Sequence, residues 1–179
     1  MGYRGAWIAF ADIDKAEVLS RLSLRDTGAP DDTGMEPFVG GMTAAGWYVV
    51  LAYEGELDMD FSLAKLSAGC RLIGVEVFEG VMTSQTQAFE DGNKQWELIH
   101  IGDEGLFDLY AEGALPPEFA VIKQQRFDEQ TANGGEDADV DYVYEIPADT
   151  AAAITGYRPD GENLGEDDPL PEMTILEPV

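Results

Sequence analysis

The chain has 179 residues, of which 45% are hydrophobic and 10% aromatic, enough to bury the core of one ordinary domain. It carries 36 acidic and 10 basic residues, for a net charge of -26 at pH 7. Such a surface is repelled by phosphates and anionic lipid, which argues against nucleic-acid binding and against a membrane role. The single cysteine, Cys70, and the lack of a secretory signal pattern at the start indicate a cytoplasmic location.

Two strand and helix pairs are predicted in the first 70 residues. Residues 5–11 are typical of a short apolar strand, and Asp14 and Glu17 form a capping-box pattern that starts a helix. Residues 46–52 repeat the strand pattern, which indicates either a duplicated strand–helix unit or a chance likeness between common strand sequences. The stretch between them is rich in Gly, Pro, Asp and Thr and is predicted to be a loop over 25–45, with a short extended piece at 38–39 left open. The second helix is expected to pack through Phe61, Leu63 and Leu66.

Residues 71–112 are predicted to form the centre of the fold, an antiparallel meander of four strands. Asp91 and Gly92 are typical of a two-residue hairpin turn within it. In the third strand, side chains alternate between the two faces, which places Trp96 and His100 on the same side.

The rest of the chain completes an α+β prediction. A third helix begins near Pro117, a last strand is predicted over 142–146, and a short Ala-rich helix over 147–155. We expect one α+β domain over residues 1–158, with a mainly antiparallel sheet, helices on one face, and a division into lobes at residue 46 left open. Residues 159–179 contain few apolar side chains and are predicted to form an extended acidic tail, with anchoring through Leu170, Met173, Ile175 and Leu176 left open.

The sequence has no phosphate loop, dinucleotide fingerprint, nucleophile elbow or Cys-x-x-Cys pair. One group of residues nevertheless suggests acid–base catalysis. If the first and third meander strands lie close, His100 with Glu76 and Glu79 would act as general acid and base. The alternative is that His100 is a packed strand residue and Glu76 pairs with Arg71 or a backbone amide.

A second group suggests binding. Asp137, Asp139 and Asp141 resemble the start of a calcium loop, but Tyr142 occupies the position that needs glycine, and the closing glutamate is absent. A calcium site is therefore rejected, and no metal or cofactor is expected. The three aspartates, together with Trp96, remain candidates for contact with a partner.

The charge distribution supports the leading functional hypothesis. Residues 128–179 contain fifteen acidic side chains against Arg158 alone, more than half of the excess negative charge. The electrostatic field of an acidic surface speeds the encounter with a basic protein. Adaptation to high salt also produces an acidic surface. We therefore expect a binding protein, such as an inhibitor or immunity-type partner of a basic protein, with the oligomeric state left open. The alternative is a small hydrolase-like or isomerase-like enzyme that uses His100 and Glu76.

Overall fold

The computed structural model describes residues 2–53, 62–161 and 169–179. Within these ranges, nine strands form a single antiparallel sheet, and four α-helices pack on it. The helices are α1 (Lys15–Leu22), α2 (Leu63–Leu66), α3 (Pro117–Ala132) and α4 (Ile146–Thr155). The strands are β1 (Arg4–Ala11), β2 (Leu24–Pro30), β3 (Phe38–Met42), β4 (Tyr48–Tyr53), β5 (Arg71–Phe78), β6 (Thr83–Glu90), β7 (Asn93–Ile101), β8 (Tyr110–Gly113) and β9 (Thr174–Pro178). Across the sheet their order is β2-β9-β3-β4-β1-β5-β6-β7-β8.

The meander predicted over residues 71–112 corresponds to strands β5 to β8, and the α+β class is confirmed. Asp91 and Gly92 have φ values of 45° and 81°, as a type I′ hairpin turn requires. β5 lies between β1 and β6, so it is a central strand. The sheet therefore extends well beyond the meander, and β5 joins the meander to the N-terminal strands.

Helices cover both faces of the sheet, so the expectation of helices on one face is wrong. On one face, α1 and α2 pack against the side of β1 that carries Ile8 and Phe10. On the other face, α3 and α4 pack against the side that carries Trp7 and Ala9. β1 is buried on both sides from Gly5 to its end, and a strand of this kind needs cover on each face. Among the described residues, no helix has the length and apolar character needed to cross a bilayer.

Two segments expected to be irregular belong to the sheet. Except for Leu24, β2 and β3 lie within the predicted loop, where only residues 38–39 were considered as an extended piece, and β9 lies within the predicted tail. β9 pairs with β2 on one side and with β3 on the other. In the described part of the chain, β2 reaches the rest of the sheet only through β9. β2 and β9 thus pair with each other across about 150 residues of chain, and a local pattern does not show such a partner.

The last strand, predicted over 142–146, is instead a 3₁₀ turn (Val143–Glu145) that runs directly into α4. Pro147 suits the first turn of that helix, because no backbone N–H is needed there.

The strands of the suggested duplicated unit, β1 and β4, are antiparallel neighbours, and the duplication itself stays a prediction. Phe61 lies outside the described residues.

Candidate functional site

The structure does not bring His100 and Glu76 together. Glu76 pairs across the sheet with Gln85, which pairs with Ile99, so Glu76 lies on the face of Ile99. His100 is the next residue along β7 and lies on the opposite face. Glu76 is partly exposed, and its Oε1 lies 3.4 Å from Nη2 of Arg4. Glu76 therefore pairs with Arg4, and β6 separates its strand from that of His100.

His100 is fully buried, and both ring nitrogens have partners. Nδ1 lies 2.7 Å from the carbonyl oxygen of Asp108, and Nε2 lies 2.8 Å from Oδ2 of Asp141. Because a carbonyl oxygen can only accept, Nδ1 is the donor in the first contact. Burial disfavours the charged ring, but the bonds to Asp141 and Asp108 outweigh it and raise the pKa of His100. This histidine links secondary-structure elements and has no nitrogen free for a substrate.

The other predicted site residues are dispersed. Trp96 is buried in the core beside α3 and α4. Asp137 and Asp139 are exposed, whereas Asp141 is buried and its Oδ1 accepts a hydrogen bond from the Tyr144 amide at 3.0 Å. Across the described ranges, acidic, histidine and cysteine side chains form no group of three that could hold a metal. These residues do not form a common binding surface.

Glu79, the third predicted catalytic residue, lies at a different place, the mouth of a cavity. The cavity has a volume of about 340 Å³ and lies where β1 begins and β4 and β5 end. The start of α4 and residues 158–160 form its other side. Its lining consists of Tyr3, Trp7, Tyr53, Val77, Glu79, Tyr144, Glu145, Ala148, Arg158, Pro159 and Asp160.

Four aromatic side chains line this cavity: Tyr3, Trp7, Tyr53 and Tyr144. Gly5 leaves room for Tyr3, because a Cβ at Gly5 would lie 2.2 Å from the Tyr3 hydroxyl oxygen. Burial raises the pKa of Tyr3 to about 12 and also raises the pKa values of Tyr53 and Tyr144, so all three hydroxyls are neutral at pH 7. The negative faces of such rings attract organic cations.

The ionisable groups of the cavity are mainly acidic. Glu79, Glu145 and Asp160 supply three carboxyl groups against the single guanidinium of Arg158. Glu79 is exposed at the mouth, where its Oε2 accepts a hydrogen bond from the Tyr3 amide at 3.0 Å. Burial raises the pKa of Glu145 by more than Arg158 lowers it. A positive ligand would be favoured here, and it would lower the pKa of Glu145.

Arg158 positions the acidic side of the cavity. Its guanidinium contacts Glu145, lies 3.0 Å from Oδ1 of Asp160, and lies 2.5 Å from Oδ1 of the buried Asp149. Asp149 also binds Arg126 of α3, with Nη2 and Oδ2 2.7 Å apart. Because Arg158 is 6% exposed and already surrounded by carboxylates of its own chain, it is not an anion-binding group.

Two buried polar atoms of the cavity lining have no hydrogen-bond partner among the described residues: Nε1 of Trp7 and the hydroxyl oxygen of Tyr144. These residues are 2% and 6% exposed. Leaving a buried polar group unpaired costs about 1–3 kcal/mol. Because both atoms are themselves buried, a ligand in the cavity does not reach them in this conformation. A third such atom, the Tyr48 hydroxyl, belongs to the core on the other face of the sheet.

Sequence reasoning missed most of this site, because its residues come from five separate stretches of chain. In addition, Tyr144 and Glu145 were predicted to lie in a strand, whereas the structure has a 3₁₀ turn there. One signal pointed to the region, namely Arg158 as the lone basic residue among fifteen acidic ones. Comparisons of the chain with protein-family models, curated proteins and solved structures found no match. The chemistry of the cavity is therefore the basis for assigning a function.

Proposed function

We propose that this protein is a binding protein that holds an organic cation in the cavity between β1, β4, β5 and α4. The observation that carries this proposal is the combination of four aromatic side chains with the carboxyl groups of Glu79 and Glu145. A cation over an aromatic face gains about 0.5–2 kcal/mol, and a nearby carboxylate adds to that gain. The cavity volume of about 340 Å³ lies within the usual range of small-ligand sites.

The cavity lacks the side chains most often used as nucleophiles. Among the described residues that line it, there is no histidine, cysteine, serine or threonine, and the groups that could act as a base are its carboxyl groups and tyrosines. The enzyme hypothesis required His100 and Glu76 as a pair, and these lie on opposite faces of the sheet. Cys70 belongs to the core on the face away from the cavity.

Calorimetric titration with cyclohexylamine tests the proposal, with cyclohexanol as a neutral compound of similar size. We expect the amine to bind and the alcohol to bind much more weakly. Glu79→Gln should weaken amine binding about threefold to fivefold, as expected for the loss of one exposed ion pair of up to about 1 kcal/mol. Glu104→Gln is the matched control, since both glutamates are exposed residues of short 3₁₀ turns and Glu104 does not line the cavity.

Two results would contradict cation binding. The first is equal affinity for cyclohexylamine and cyclohexanol, which would show that the site recognises the ring alone. The second is an equal effect of Glu79→Gln and Glu104→Gln, which would show that only the overall charge of the protein acts.

A second candidate function is that of an inhibitor or immunity-type partner of a basic protein. The net charge of -26 supports it, and a lysine or arginine of such a partner would be the cation that enters the cavity. Association should slow as salt is raised, because the Debye length falls from about 10 Å at 0.1 M to about 3 Å at 1 M. His100→Gln should leave association nearly unchanged, since this buried side chain does not line the cavity and acts only on the placement of Tyr144. An association rate that does not depend on salt would remove the support that charge provides.

A further inference from the structure

We infer that the ligand of the cavity is a linear diamine, with one ammonium group beside Glu79 at the mouth and the other beside Glu145 and Asp160. This inference rests on the proposed function and adds the number and the separation of the ligand's charges. It assigns to the carboxylates on the α4 side of the cavity the selection of a diamine over a monoamine.

The lining of the cavity carries more negative than positive charge. Its carboxyl groups belong to Glu79, Glu145 and Asp160. Against these three, the described lining has one guanidinium, that of Arg158, which leaves an excess of two negative charges. Arg158 also contacts Asp149, but Asp149 has a second cation of its own in Arg126. A ligand with one positive charge therefore leaves part of the excess unbalanced, and a ligand with two balances it.

The three carboxyl groups are accessible to a ligand. The side chains of Glu145 and Asp160 are 26% and 49% exposed, and Glu79 is exposed at the mouth. An ammonium group beside any of them keeps part of its hydration, so it avoids the high cost of a fully buried charge. Both charged ends of a diamine can therefore meet a carboxylate at the solvent-facing part of the cavity.

The carboxylates act on the same aromatic side chains from different positions. Burial first, and then the charges of Glu145 and Glu79, raise the pKa of Tyr144. Burial and the charges of Asp160 and Glu79 likewise raise the pKa of Tyr3. Yet in the part of the chain that the structure describes, no three acidic side chains lie close enough to hold one metal ion. The negative charges thus surround the aromatic lining without meeting at one point, which favours two separated cations over a single divalent ion.

The rest of the lining suits a hydrocarbon chain between the two cations. It is mainly aromatic, with the side chains of Tyr3, Trp7, Tyr53 and Tyr144. Methylene groups gain free energy when they leave water for such a surface, and they need no hydrogen-bond partner. A zwitterion such as an amino acid has a carboxylate in place of one cation and would be repelled by the acidic lining.

The test compares linear diamines with amino alcohols of the same chain length, in which a hydroxyl replaces one ammonium group. The pairs are those with three, five and seven carbon atoms, for example 1,5-diaminopentane with 5-amino-1-pentanol. Calorimetric titration at pH 7 should show one diamine per protein, bound about fivefold to tenfold more tightly than its amino alcohol at the best chain length, the effect of one more partly exposed ion pair. The preference should peak at one chain length, because the carboxylates are fixed in position.

Two variants locate the source of the preference. Glu145→Gln should reduce the preference for the diamine at least about twofold, because it removes a carboxylate beside the second ammonium group. Glu104→Gln is the matched control, since it removes an exposed carboxylate that does not line the cavity and should leave the preference unchanged.

A further measurement needs only the parent protein. Burial holds the pKa of Glu145 above its ordinary value, so part of this carboxyl group is protonated at about pH 5. An ammonium group beside it lowers that pKa, and binding then releases protons. Titrations in buffers of different ionisation enthalpy count these protons, and the diamine should release more of them than its amino alcohol.

The outcomes separate the inference from the proposed function. Equal affinity for each diamine and its amino alcohol, or equal proton release, would overturn the inference and leave cation binding intact. Failure of every amine to bind would overturn cation binding and the inference with it. A preference that is the same at all chain lengths, or that Glu104→Gln reduces as much as Glu145→Gln, would also overturn the inference, because the attraction would come from the overall charge of the protein.

Discussion

Nε2 of His100 lies 2.8 Å from Oδ2 of Asp141, and the pair joins β7 to the turn that leads into α4. Both side chains are shielded from solvent, at 0% and 4% exposure. The other carboxylate oxygen of Asp141 accepts the amide hydrogen of Tyr144, whose ring meets the His100 ring edge-on with centroids 6.4 Å apart. The only histidine of the chain thus helps to place a cavity residue, although it does not line the cavity itself.

The first prediction concerns the pH dependence of stability. The pKa of His100 is raised in the folded protein above its unfolded value of about 6.5, so its contribution is complete below that pH and is lost as pH rises through the folded pKa. We expect the difference in unfolding free energy between the parent and His100→Gln to be largest near pH ~6 and to shrink on alkalinisation. Urea unfolding of both proteins across pH measures it, and a difference that grows with pH would contradict the assignment.

The second prediction concerns Glu145 and the pH dependence of cation binding. Burial, partly offset by Arg158, holds the pKa of Glu145 above its ordinary 4.5. On acidification through that pKa the carboxyl becomes neutral, so affinity for cyclohexylamine should fall. In Glu145→Gln this early fall should be absent, and the decline should begin at lower pH. Calorimetric titration at several pH values tests this, and superimposable pH profiles of the two proteins would show that Glu145 takes no part in binding.

The third prediction tests the place of β9 in the sheet. Leu176 is 2% exposed and packs in the core on the face of α1 and α2. Leu176→Ala should cost about 2–5 kcal/mol, the usual range for a buried leucine. Val179→Ala, at an 88% exposed position three residues on, should change stability by less than about 0.5 kcal/mol. Thermal and denaturant unfolding compare the two, and a small loss for Leu176→Ala would mean that the C-terminal strand is dispensable.

The fourth prediction separates core aromatics from surface aromatics. Trp47 and Trp96 are 4% and 6% exposed within the core on the α3 and α4 face. Replacement of either by alanine should cost about 3–5 kcal/mol. Tyr110→Ala, at a 48% exposed position on β8, is the control and should have a much smaller effect. If Trp96→Ala unfolds like the parent, Trp96 would again be a candidate for a partner surface.

The local elements of the fold could be predicted from neighbouring residues in the sequence. Apolar alternation predicted the meander strands, and Asp91 and Gly92 predicted the turn between β6 and β7, because these two residues tolerate positive φ. The start of α1 was predicted from Asp14, whose Oδ1 accepts the Glu17 amide hydrogen at 2.8 Å. The reciprocal half of that capping box is replaced by an ion pair, as the Glu17 carboxylate contacts Arg21 at 2.9 Å. Each of these features depends on residues within a few positions of one another.

Features that depend on residues far apart in the chain could not be predicted from local sequence patterns. Period-two alternation shows that Trp96 and His100 share a face, but it cannot show that Glu76 lies on the other face or that Asp141 supplies the partner of His100. β2 and β9 have little local strand signal, because their stability comes from pairing with each other. The cavity likewise exists only because the ends of three strands meet the start of α4, so its aromatic and acidic lining has no counterpart in the linear order of the chain.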